Sequence, residues 1–187
     1  MFLYFTFVCI YYYFDFNKMN IFVLHLNPKK CAKMHCDKHI VKMVLEYAQL
    51  LCTTHRIIDN IPNDDTKHPK SKMLYKIAHK NHPCTIWTRE SLDNYMWLYE
   101  LFVECCNEYT KRYGKIHLCD KKLRDVLKNL PEGLQKKEMQ KGITNRPQCM
   151  PEYCKDTDVV EAYQEYYICE KSRFAQWNYC DMPSWWY

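Results

Sequence analysis

The residue types best suited to chemistry lie in one run, His35-Cys36-Asp37-Lys38-His39, which continues at helical spacing to Lys42, Glu46 and Gln49. On an α-helix successive residues turn by about 100°. His35, His39, Lys42, Glu46 and Gln49 then fall within roughly 80° of one another, away from Ile40, Val41, Val44, Leu45, Ala48 and Leu51. One line of the helix would present imidazole, ammonium, carboxylate and amide together. A carboxylate beside a lysine and a histidine can do acid–base work or stabilise a developing cation. The same pattern also suits an ordinary solvated helix face with i,i+3 and i,i+4 pairs.

A second cluster, His79-Lys80-Asn81-His82-Pro83, precedes Trp87 and Arg89. It also suits a helix start, with Asn81 or His82 as cap and Pro83 in the first turn. The four histidines His35, His39, His79 and His82 could in principle serve a metal-dependent hydrolase. However, there is no His-Glu-x-x-His and no Cys-x-x-Cys, so neither a metal nor another cofactor is expected. Only three glycines occur, which excludes the glycine-rich phosphate loops of the Rossmann and P-loop types.

These residues need helices to position them. Asn20 to Leu26 reads as a short apolar, extended segment, and Asn27-Pro28 as the cap and first position of a helix reaching about Thr54. A polar connector spans Asp59 to Lys72. A second long helix is expected from near Pro83 to Tyr113, stopped by Gly114, and a third from about His117 to Leu130. Pro131 to Pro151 reads as a loop. Asp158 with Glu161 opens a last helix to about Lys171. The expectation is one compact all-α domain over residues 19–187, with a short extended segment at its N-terminal side.

The formal net charge is +5, unevenly spread. Thr66 to Arg89 carries six basic residues and no acid, and Lys111 to Gly142 carries ten against four. Ile143 to Glu170 is the acidic counterweight. Basic stretches interleaved with Tyr75, Trp87 and Tyr113 suit a phosphate backbone with stacking contacts, or simply a lysine-rich surface. The twelve cysteines are scattered through helical stretches rather than framing short loops, which points to reduced thiols inside a cell.

Residues 1–18 stand apart. Twelve of them are Phe, Tyr, Ile, Asn or Lys, the residues of AT-rich codons, and their apolar run is too short to span a bilayer. Translation is expected to begin at Met19, with 1–18 as conceptual translation of upstream DNA; an interfacial hydrophobic anchor is the alternative.

Asp37-Lys38-His39 followed by Glu46 resembles the first helix of the small bacteriophage pyrimidine-dimer DNA glycosylase/AP lyase of endonuclease V type. The turn His82-Pro83 leading to Trp87 is similar to one in bacterial proteins of the same description. From Met19 onward the chain also resembles uncharacterised phage and giant-virus proteins. The resemblance implies a compact all-α enzyme that bends DNA, displaces a nucleotide and uses an amine to attack the sugar. By position, Glu46 would be the catalytic carboxylate with His39 beside it. In the phage enzyme the nucleophile is the α-amine exposed after the initiator Met. Here that position is Asn20, a bulkier residue than those that usually follow an excised Met. The α-amine of Met19 or Asn20, Lys42 on the same helix face, or water activated by Glu46 all stay open.

The expected function is a DNA-repair glycosylase, with or without AP-lyase activity, acting on damaged pyrimidines. Its catalytic residues would be Glu46, His39 and Lys42, and its DNA contacts His35, Lys38, Lys72, Lys76, Lys80, His82, Trp87 and Arg89. The expected partner is DNA, with no membrane, and the chain is expected to be monomeric and intracellular, in the host cytoplasm, a viral factory or the virion. The alternative is a non-catalytic nucleic-acid-binding or virion-associated protein.

Overall fold

The computed structural model describes residues 19–64, 68–136 and 142–187. It contains α1 (Pro28–Met34), α2 (Asp37–Ile58), α3 (Pro83–Thr88), α4 (Leu92–Tyr113), α5 (Leu118–Lys128), α6 (Glu132–Lys136) and α7 (Val159–Lys171), with a 3-10 turn at Glu152–Cys154. The chain is all-α, with no β-strand among the described residues. The expectations for residues 1–18, and for Lys67 and Lys141, lie outside those described.

Local chemistry sets most helix ends. The Asn27 side chain accepts from the Lys30 N–H at 3.1 Å, with Pro28 beginning α1. Gly114 ends α4 in the left-handed region, φ 64°, where a side chain would be strained. The Asp158 carboxylate accepts from the N–H groups of Val160 and Glu161 to start α7. His82 caps α3 and His117 caps α5 through their ring nitrogens.

Two expected helices are each divided. The helix from Asn27 to Thr54 breaks at His35-Cys36, where both residues are extended. Arg112, far along the chain on α4, makes the break tolerable by donating to the carbonyls of Lys33 at 2.9 Å and His35 at 2.8 Å. Those are carbonyls that the end of α1 leaves without helical partners. On the other side, the Asp37 N–H donates to the Gln176 carbonyl at 2.8 Å. The helix from Pro83 to Tyr113 likewise divides, because Ser91 caps a new start by accepting from the Asn94 N–H at 3.0 Å. The loop expected over Pro131 to Pro151 includes α6. There Gly133 lies so close to α2 that a Cβ would meet Ile58 Cγ2 at 2.6 Å and Ile58 O at 2.9 Å.

The centre of the fold is α2 against α4, with α1 also packed on α4 and α3 and α5 on α2. Val44, Ala48 and Leu51 of α2 are buried, as are Leu98, Leu101, Phe102 and Cys105 of α4. Met19 to Leu24, irregular rather than helical, is buried throughout. The connector after α2 is organised from within by Arg56. This buried guanidinium donates to the carbonyls of Tyr75 and Pro62, each at 2.6 Å, Ser71 at 2.8 Å and Leu74 at 2.9 Å. No helix among the described residues is long and apolar enough to cross a membrane.

The break also changes which side of α2 is buried. Lys38, Val41, Lys42 and Leu45 form its outer strip, while His39 and Glu46 turn inward. Leu45, expected on the core face beside Val44, is 40% exposed, whereas Val44 is fully buried. Val44→Asp therefore places a charge in the core and forfeits about 1.5–3 kcal/mol of burial, enough to unfold the protein. Leu45→Asp, by contrast, forfeits only the covered part of a half-exposed side chain, about 1–2 kcal/mol, and should leave the protein folded. Urea denaturation of the two variants checks this.

Candidate active site

α2 carries Glu46 to the floor of a cleft of about 320 Å³ lined by Met19, Lys42, Glu46, Gln49 and His79. The Glu46 side chain is only 12% exposed, and each of its oxygens faces a nitrogen. Lys42 Nζ lies 3.1 Å from Oε1, and the backbone nitrogen of Asn20 donates to Oε2 at 3.3 Å. A solvated i,i+4 pair would leave the carboxylate in water; here only the lysine is substantially exposed, at 54%. His79 closes the cleft from the connector with its backbone in the left-handed region, φ 49°, uncommon for a residue with a side chain. Its carbonyl accepts from the His82 N–H and the Thr85 hydroxyl, both at 2.9 Å, which holds that conformation.

The Asn20 nitrogen is positioned by its own side chain. Its Nδ2 donates to the Cys149 carbonyl at 2.8 Å, and its Oδ1 accepts from Tyr163 Oη at 2.7 Å and from the Ile21 N–H at 2.8 Å. The carboxamide supplies a donor on one arm and an acceptor on the other.

Several residues expected at the site lie elsewhere. His35 is fully buried between the Cys31 carbonyl and Tyr47 Oη, both at 2.8 Å, so it is a core histidine and not a DNA contact. Burial pushes its pKa down to about 4. His39 does not line the cleft. Its ring stacks on Phe22 at 4.5 Å between centroids, its Nδ1 meets Tyr167 Oη, and burial holds its pKa well below the usual range. Trp87 is also interior, its indole N–H donating to the Thr144 carbonyl at 3.3 Å. Burial removes it from any stacking surface. The four histidines do not converge among the described residues: His35 and His39 are tied to tyrosines, while His79 and His82 adjoin each other.

The remaining expected cations do not line the cleft. Lys72, Lys76 and Lys80 are exposed on the connector, and Arg89 braces it by donating to the Lys80 carbonyl at 2.8 Å. His82 is partly exposed at the α3 cap. Lys38 and Arg173 lie near the Phe174 ring, at 5.4 Å and 5.9 Å from its centre. Lys171 sits 4.1 Å from the Tyr166 ring centre, its pKa lowered to about 8 chiefly by burial. Sequence spacing did not bring Asn20 to the site, since its placement depends on contacts more than a hundred residues apart. His79 was visible as part of a histidine cluster, but only its position at the cleft distinguishes it.

A family model described as pyrimidine dimer DNA glycosylase matches residues 19–121. That stretch contains every residue lining the cleft, whereas Cys149, Tyr163 and Tyr167, which fasten Asn20 and His39, lie beyond it. No curated protein and no solved structure matches the chain.

The buried histidines give stability a definite pH dependence. His35 titrates near 4 in the folded chain against about 6.5 when unfolded, and His39 and His55 are lowered in the same direction by burial. Below pH 6.5 the unfolded chain takes up protons that the native rings refuse, so acid favours unfolding. Stability should be fully present above about pH 6.5 and decline toward pH 4, with His35 alone contributing on the order of 3 kcal/mol. Urea midpoints measured across that range check this, and His35→Gln should make the decline shallower.

Proposed function

Given that the chain belongs to the pyrimidine dimer DNA glycosylase family, we propose that its cleft excises a damaged pyrimidine from duplex DNA with Glu46 as the essential carboxylate. The observation that carries this reading is the carboxylate held between two nitrogens, Asn20 N on one oxygen and Lys42 Nζ on the other. In the proposed reaction an amine attacks C1′ of the sugar and the bond from C1′ to the base breaks. The base leaves with a proton, and an imine remains. Glu46 relays protons between the amine and the opening sugar and balances the cationic imine. Taking the C2′ proton would then cleave the C3′–O bond by β-elimination, the lyase step.

Besides the α-amine of a polypeptide that starts at Met19, which lines the cleft, two nitrogens beside Glu46 are candidates for the amine. Asn20 N is the better placed, because it is buried and fixed, and it becomes an α-amine in a polypeptide that starts at Asn20. Lys42 Nζ needs no processing but projects from an exposed side chain. His39 supports the helix face from outside the cleft. Lys72, Lys76 and Lys80, the exposed lysines of the connector that carries His79, would hold the phosphate backbone beside the displaced nucleotide. Action on DNA would place the protein inside the cell, in the host cytoplasm, a viral factory or the virion.

Glu46→Gln should lower base release from ultraviolet-irradiated duplex by about 10²-fold or more while DNA binding persists. Borohydride trapping on abasic duplex, followed by mass spectrometry of the cross-linked peptide, then assigns the amine to the Asn20 peptide or the Lys42 peptide. Binding without base release from any irradiated duplex would support a non-catalytic DNA-binding protein instead.

The DNA contact has its own signature. Each neutralised phosphate contributes about −0.9 to the slope of log affinity against log salt on duplex DNA. Replacing Lys72, Lys76 and Lys80 together by Ala should flatten that slope by up to about 2.7 and leave the urea midpoint unchanged, as expected for exposed side chains. An unchanged slope would place the phosphates elsewhere.

A further inference from the structure

We propose that His82, Cys84 and Cys149 form a zinc site beside the cleft. Their donor atoms lie within 4.8 Å of one another, and the two sulfurs are 3.6 Å apart. Two thiolates bound to one zinc at about 2.3 Å each stand roughly 3.8 Å apart in a tetrahedral shell. A disulfide would require about 2.05 Å. The observed spacing, a thiol hydrogen bond between the two as they stand, is thus already close to that of two ligands of one ion. Two thiolates and an imidazole suit zinc and disfavour magnesium or calcium. Cys84 is buried, while His82 and Cys149 are partly exposed and give the ion a route in. Both thiols would release their protons to solvent on coordination, and water would complete the shell.

No short motif announces this site, because Cys149 arrives from a segment sixty-five residues beyond Cys84. An ion here would join the cap of α3 to that segment. It would also brace Asn20, whose Nδ2 is held by the Cys149 carbonyl at 2.8 Å. The proposed role is therefore structural, adjacent to the chemistry rather than part of it. Its failure would leave the assignment of Glu46 untouched.

The test uses the full chain, reduced and stripped with a chelator, then titrated with zinc against a chromophoric competitor and separately with cobalt. The wild type should take up a single zinc ion tightly, and cobalt should give a thiolate charge-transfer band. Cys149→Ser and His82→Asn should each weaken zinc binding by about 100-fold or more. Asn can still cap α3, so His82→Asn should keep its helical circular dichroism, as should Cys149→Ser. Cys180→Ser should bind zinc as the wild type does. Wild-type binding no tighter than that of the Cys84→Ser/Cys149→Ser double variant, or a cobalt complex with no thiolate band, would overturn the proposal.

Discussion

The Arg112 guanidinium, wholly buried, is the constraint on which the arrangement of α2 depends. It donates to the carbonyls of Lys33 and His35, to Asp37 Oδ1 at 3.2 Å, and to Glu108 Oε2 at 3.4 Å. Asp37 in turn accepts from the Asn178 N–H at 2.7 Å through its other oxygen. A buried ion cluster of this kind adds little net stability, because removing the charges from water offsets most of their attraction. What it supplies is specificity. It ends α1, starts α2 at a defined rotation, and turns His39 and Glu46 inward while Val41 and Leu45 face out. With a continuous helix, His35 would join the others on one polar line. Because of the break it drops into the core, against Tyr47.

Arg56 performs the equivalent task on the opposite side of the cleft. Its donors are satisfied almost wholly by carbonyls of the connector, so a segment without regular structure is fixed around an internal cation. Thr53 adds a reciprocal pair with the backbone of Ala78, at 3.1 and 3.2 Å. The connector can thereby carry several exposed lysines and bring His79 to the cleft without unravelling under their mutual repulsion. The aromatic C-terminal segment completes the enclosure, with Trp177 donating to the Met34 carbonyl at the end of α1 at 3.1 Å.

Features governed by neighbouring residues were legible in the sequence. The caps at Asn27, Asp158 and His82, the stop at Gly114, the helical class and the prominence of Glu46 all follow from local propensity and spacing. The helix break was not legible, because the partner that satisfies its carbonyls lies on α4, more than seventy residues away. The burial of His35 and Trp87 was hidden for the same reason: Tyr47 and the Thr144 carbonyl decide it, and neither is marked by composition. A periodicity argument locates an apolar face only to within a residue or two at its margin, and Leu45 sits at that margin. By sequence Asn20 is an obstacle to Met removal, whereas its carboxamide bonds, formed with distant residues, fasten it beside Glu46.

Those bonds also bear on how the chain folds. Asn20 is held by Tyr163 and Cys149, across separations of 143 and 129 residues, whereas α2 and α4 meet over much shorter stretches of chain. Closing long loops costs entropy that only later contacts repay, so pairings of this span form after the local helices and their first packing. On the ribosome α2 can be complete, with Glu46 and Lys42 in register, long before α7 has been synthesised. Until then the Asn20 side chain lacks its bonds to Tyr163 and the Cys149 carbonyl. The chain thus acquires its helices early and the long-range fastening of Asn20 last, and a copy ending before α7 would carry Glu46 and Lys42 on a formed helix without that fastening.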